Sequence, residues 1–173
     1  LALLEMMLTA SGQTMLCPKK NWVKTRFSQF STLSLLTKRI NVKIYVQSFD
    51  NEYEAFKSYA LNYPDNTVLL VDTYDTLNQG IPNAIKCHQE VLVPMGKKLK
   101  GIRIDSGDLA YLSKKVRQML DDAGLTETTI TVSNSLDEFL IRDLIVHQDA
   151  KIDAFGVGER LITARSEAVF GGV

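Results

Sequence analysis

From about residue 50 onward, four apolar runs of strand type alternate with segments of helical period, centred near Leu70, Ile104, Thr131 and Ala154. Their repeat of roughly 25 to 35 residues is the length of a βα unit, and it confines this part of the chain to an α/β architecture with parallel strands. The run Val68 to Val71 is apolar throughout, as expected of a strand covered on both faces. Each run ends in a polar or glycine-rich turn: "DTYDT", "DSGD", "SNS" and "GVGER". In parallel α/β folds the strand carboxyl ends share one face, where active sites are built. Four clusters separated in sequence thus become one candidate site in space.

The intervening segments predict helices. In "NEYEAFKSYALNY" the residues Tyr53, Phe56, Ala60 and Tyr63 recur at helical spacing, and Pro64, Asp65 and Asn66 end the run. A second helix is expected in "PNAIKCHQEVL", opened by Pro82 in its first turn. A third carries Leu109, Leu112, Val116 and Leu120 on one stripe, with Gly124 just past its end. Ser135 and Glu138 read as a capping box opening "LDEFLIRDLIVHQ", with Leu136, Phe139, Leu140 and Leu144 turned inward. Residues 1–44 hold neither period and are left unassigned; Met6, Met7 and Met15 among them read as core filler.

Composition removes several classes of function. Twenty Lys+Arg offset twenty Asp+Glu, so no global field draws in nucleic acid or an anionic membrane, and any anion site is local. The first apolar stretch, "LALLEMMLTA", holds a glutamate and falls short of the roughly 20 residues that span a bilayer; it also lacks the basic start of a signal peptide. Cys17 and Cys87 form no C-x-x-C pair, and with His88 and His147 they make no metal cluster by spacing. A reduced, cytoplasmic protein with small-molecule ligands is expected. The opening on Leu1 and the ending "FGGV" lead us to expect that both ends were cut from a longer protein.

The densest chemistry lies in "GIRIDSGDLAYLSKKVRQML". Ile102 and Ile104 point to one face of the strand, Arg103 and Asp105 to the other. There the arginine can offer a flat cation to an aromatic carboxylate, and Asp105 an acceptor to sugar hydroxyls. The same residues also read as a buried ion pair, with Ser106, Gly107 and Asp108 forming an ordinary turn and helix cap whose first amides can bind an anion.

The other turns leave similar alternatives open. Gly156 and Gly158 let backbone amides approach a phosphate, or simply make a tight turn. Ser133 and Asn134 are donors to a ligand, or caps. Asp72 and Asp75 lie where sugar or Mg-phosphate can bind, while Asp75 also suits the start of a turn. Cys87 and His88 diverge on a helix and make a poor nucleophile and base pair, and His147 suits a helix C-terminus.

Taken in order, "VQSFDNEYEAFKSYA", "LLVDTYDTLNQGIPNAIK", "GIRIDSGDLAYLSKKVRQMLDDAGL", "VSNSLDE" and "FGVGERLITARSEAVFGGV" closely resemble nicotinate phosphoribosyltransferase, of the type II phosphoribosyltransferases. The resemblance covers about residues 45–173 and implies a partial irregular (β/α) barrel of the type II phosphoribosyltransferase kind. It implies formation of nicotinate mononucleotide and pyrophosphate from nicotinate and phosphoribosyl pyrophosphate, a step of NAD biosynthesis. The reaction is coupled in the family to ATP hydrolysis, Mg²⁺ is carried by phosphoribosyl pyrophosphate, and the full-length family member is a homodimer.

By the same resemblance, Arg103 matches the arginine against the pyridine ring and Asp105 the catalytic carboxylate that binds the ribose and steadies its developing positive charge. Ser106 belongs to the same substrate-binding turn, and Asp72 lines the same cavity. Ser133, Asn134, Gly156 and Gly158 match the turns that hold the ribose and phosphate. No protein-held metal, nucleic acid or membrane is implied.

The segment ahead of "VQSF" departs from the family. Counting back from Val46, the two histidine places of its G-T-H-x-H-S segment fall on Asn41 and Lys43, and one of those histidines is the residue phosphorylated by ATP. Residues 1–44 are therefore expected to be an out-of-frame or chimeric stretch, and the chain alone inactive. The alternatives are another phosphate-binding barrel enzyme, such as a nicotinamide or quinolinate phosphoribosyltransferase, and a non-catalytic fragment.

Overall fold

The computed structural model describes residues 14–16, 43, 45–158 and 160. Its centre is a five-stranded sheet. The strands are β1 (Thr14–Leu16), β2 (Val68–Leu70), β3 (Gly101–Ile104), β4 (Thr129–Ser133) and β5 (Ala154–Gly156), in spatial order β1-β5-β4-β3-β2. From β2 to β5 each strand pairs in parallel with the next. Helix α1 (Glu52–Asn62) precedes β2, and the three crossovers carry α2 (Ile81–Cys87), α3 (Leu109–Asp122) and α4 (Glu138–Arg142). The predicted α/β class and the consecutive parallel units of a partial (β/α) barrel are both present.

Alternation along the strands separates two faces. Ile102, Ile104, Ile130 and Val132 are fully buried and join Val116 and Leu120 of α3 in the core. Arg103 and Asp105 take the opposite face and remain partly exposed. The α3 stripe forms as its spacing predicts, capped by Asp108, which accepts from the Tyr111 amide at 2.9 Å. Gly124 follows the C-cap residue Ala123 at φ +77°, a backbone region that costs glycine no steric strain.

Several expectations are corrected. β2 is covered on both faces only from Leu69 onward, because Val68 lies at its start and stays 42% exposed. The helical path after β2 begins at the cap Asp75 rather than at Pro82. Asp75 Oδ1 accepts from the Leu77 and Asn78 amides, and a π-helical turn (Thr76–Gly80) leads into α2. The path then continues as a π turn (His88–Leu92) and a 3-10 turn (Val93–Met95).

Ser135 does not cap α4. Asp137 does, its Oδ1 accepting from the Leu140 amide at 2.8 Å, while Asn134 and Ser135 have φ of +129° and +47°. The later start rotates the face, so Leu136 and Leu144 are buried but Phe139 is 60% exposed. Tyr63 likewise lies outward at the end of α1. β1 was not anticipated. It pairs antiparallel with β5, Met15 opposite Phe155. Met6 and Met7 lie outside the described residues.

Candidate functional site

The parallel register sets one row of side chains just past the paired strand ends. Ile104 pairs with Val132, so Asp105 stands beside Ser133, which itself pairs with Gly156. Arg103 Nε donates to Ser133 Oγ at 2.9 Å, and Ser133 Oγ donates to Asp105 Oδ1 at 2.8 Å. The Arg103 Nη2 and Asp105 Oδ2 atoms lie 3.9 Å apart, with 22% and 14% of the two side chains exposed. Ser133 is buried and uses its single proton within this network. The two open readings of "GIRIDSGD" thus coexist, since Arg103 and Asp105 are tied together and still partly reach solvent.

Asp72, one residue past Val71 and nearly fully buried, braces the turn after β3. Its Oδ2 accepts from the Asp105 amide at 2.9 Å and from the Ser106 hydroxyl. Lys43 Nζ lies 3.9 Å from the same oxygen. Asp72 Oδ1 is buried and has no hydrogen-bond partner among the described residues. The nearby turn depends on Gly80, where a Cβ would fall 1.9 Å from the Val71 carbonyl oxygen. No larger residue lets the helical path lie this close behind Asp72.

Five predicted residues therefore meet: Asp72, Arg103, Asp105, Ser106 and Ser133. Gly156 serves the group by its smallness, since a Cβ there would lie 3.2 Å from Ser133 Cβ. Asn134 is exposed in the turn that follows, and a Cβ on Gly158 would meet nothing within 4 Å. Asp75 and Asp108 serve as helix caps, and the Tyr111 amide at the start of α3 is taken by Asp108 itself rather than left for an anion.

The remaining candidates stay outside. Burial pushes the Cys87 thiol up to about 11, and the His88 imidazole Nδ1 accepts from the Leu99 amide, so neither activates the other. His147 ends the π turn after α4 at the surface.

Glu52, Asn83 and Gly80 also bear on the site, and no motif in the sequence singles them out. Glu52 is 4% exposed in the first turn of α1; its Oε2 accepts from Asn83 Nδ2 at 3.1 Å and its Oε1 has no partner among the described residues. An acid at a helix start is so common that nothing in the sequence marks this one as buried. Among the described residues no helix is long and apolar enough to cross a membrane, and no group of three or more His, Cys, Asp or Glu side chains forms a metal cage.

No protein-family model matches the chain. A nicotinate phosphoribosyltransferase of Bacillus subtilis is 51% identical over 130 residues, which is 74% of this chain and 25% of that protein. Nicotinate phosphoribosyltransferase 2 of Arabidopsis thaliana is 41% identical over 135 residues, 74% of this chain and 24% of its own length. The crystal structure of nicotinate-nucleotide pyrophosphorylase from Pyrococcus furiosus superposes with a TM-score of 0.54 and 26% identity, covering 69% of this chain and 30% of that one. The chain thus spans about a quarter of the length of the curated relatives it matches. Over that span, the relatives together with the parallel strand-end site place this chain in the nicotinate phosphoribosyltransferase family, a family of transferases.

Proposed function

We propose that this segment forms one wall of the site of a nicotinate phosphoribosyltransferase, which makes nicotinate mononucleotide and pyrophosphate from nicotinate and phosphoribosyl pyrophosphate during NAD biosynthesis. The Arg103, Ser133 and Asp105 network at the ends of adjacent parallel strands carries this reading. A guanidinium held in one orientation by Ser133 presents a flat cation to the pyridine carboxylate. Loss of pyrophosphate leaves positive charge on the ribose, and the fixed carboxylate of Asp105 stabilises that charge as it develops. Ser106 and Asp72 hold the turn on which Asp105 rides.

The phosphate-binding roles of Asn134, Gly156 and Gly158 stand on the resemblance, with Ser133 acting through its two neighbours as well. Mg²⁺ enters on the diphosphate, as part of that substrate, and neutralises the leaving group. ATP is the coupled co-substrate. The whole protein works in the cytoplasm as a homodimer.

The chain alone does not catalyse this reaction. Lys43 occupies one of the two histidine places and lies beside Asp72. A protonated ammonium has no lone pair with which to take a phosphoryl group from ATP. The test is formation of nicotinate mononucleotide, measured with the whole protein and with the 173-residue chain. Turnover by the whole protein, lowered about 100-fold or more by Asp105→Asn, supports the reading. Preference for nicotinamide or quinolinate over nicotinate overturns it, and turnover by the short chain overturns its inactivity.

A further inference from the structure

The ladder between β4 and β5 ends on the pair Ser133 and Gly156, and each strand then runs into a turn on the face that carries the site. Past that last rung Arg160 reaches back across, its Nη1 donating to Asp137 Oδ2 at 2.7 Å. Asp137 has only 7% of its side chain exposed, and its other oxygen accepts from the Leu140 amide at the start of α4. One carboxylate thus caps a helix and holds a guanidinium from the neighbouring turn. A short hydrogen bond between opposite charges is stronger than a neutral one, so it can tie the two segments together.

Two features give that tie a purpose. Asn134 and Ser135 have φ of +129° and +47°, a region that residues with a side chain occupy only where their surroundings hold them. Both are exposed, so the hold comes from their flanks. On one side Ser133 is bound to Arg103 and Asp105; on the other Leu136 lies in the core and Asp137 under Arg160. The second feature is Gly158. Neither a positive φ nor a close neighbour among the described residues demands glycine there, which leaves bare backbone two residues ahead of Arg160. Bare backbone is what lets a ligand approach closely.

We propose that Arg160 and Asp137 are positioning residues for the phosphate end of phosphoribosyl pyrophosphate: their ion pair locks the turn at 134–135 and the turn at 156–158 into one cradle. Arg160 acts through Asp137 in this scheme and does not itself meet the phosphate. The inference rests on the proposed function for the identity of the ligand; the coupling of the two turns is measured without it.

The experiment has two arms. In the 173-residue chain, NMR follows the amide signals of Asn134 and Gly158. Arg160→Gln and Asp137→Asn should each move both signals, and the double variant should move them no further than either single one. Asparagine caps a helix as well as aspartate, so Asp137→Asn keeps α4 and gives up only the charge. In the whole protein, either variant should raise the KM for phosphoribosyl pyrophosphate about tenfold, more than it changes kcat or the KM for nicotinate, and the double variant should add nothing further. Arg160→Lys, which keeps the charge, should recover part of the loss. Signals that move only in the turn carrying the substitution overturn the proposal. So do an unmoved KM and additive rises in KM, the latter because Arg160 then meets the phosphate independently of Asp137. A whole protein that makes no use of phosphoribosyl pyrophosphate defeats the proposed function instead, and the two amide signals then decide the coupling alone.

Discussion

Ser133 and Gly156 face each other across the β4 and β5 pair, and the hydrogen of Gly156 leaves the room in which Ser133 bridges Arg103 to Asp105. Gly156→Ala would bring a methyl to 3.2 Å from Ser133 Cβ. The strand must give by a few tenths of an ångström. We expect a loss of about 1 to 3 kcal/mol in urea unfolding. An unchanged midpoint would show that the ladder absorbs the methyl.

Ser133→Ala keeps the fold but removes the two hydrogen bonds by which Ser133 links Arg103 to Asp105. Losing a buried bridge to charged partners costs about 1 to 3 kcal/mol. In the whole protein, turnover over KM should fall about tenfold or more, as 1.4 kcal/mol corresponds to a factor of ten. Ser133→Thr should recover part of it, which a kinetic comparison of the two variants would show.

Gly80→Ala meets backbone rather than side chain, since the new carbon would lie 1.9 Å from the Val71 carbonyl oxygen. The helical path cannot retreat without moving Asp72. A loss of about 3 kcal/mol or more is expected, read as a collapse of the thermal midpoint. A wild-type midpoint would mean that the close approach is dispensable.

His88 supplies a pH test. Burial, and then the positive charge of Lys98, lower its affinity for a proton in the folded chain below the ordinary value of 6.5. The unfolded chain therefore takes up the proton first. The stability this group contributes is whole above 6.5 and is lost as pH falls from there through the depressed folded value. His88→Asn, which keeps an acceptor for the Leu99 amide, should flatten that part of the stability profile. Parallel profiles for the two proteins would contradict this assignment.

Much of the arrangement can be read from the chain where a single force decides. The stripe from Leu109 to Leu120 and the alternation of Ile102, Arg103, Ile104 and Asp105 follow from burial alone, and both form as read. Asp72, Arg103, Asp105, Ser106 and Ser133 are brought together because parallel register carries one strand end beside the next.

Legibility fails where two local solutions compete. Ser135 and Asp137 are both good caps, and the carboxylate wins, moving Phe139 outward. Asp75 captures two amides and starts a helical path ahead of the proline that marks it in the sequence. Glu52 is hidden for another reason. Its burial comes with packing against α2, where Asn83 donates to it, and no local pattern records that.

The order β1-β5-β4-β3-β2 also has a kinetic side. Every parallel ladder joins strands that follow one another along the chain, so each closes a loop only about one βα unit long. The β1 and β5 ladder is different, for it joins the two ends of the described chain. Closing that span costs more chain entropy than any other pairing, and three residue pairs return little for it. On loop-closure grounds we therefore expect the parallel strands to pair before β1 docks, and the β1 edge to be the first ladder to open.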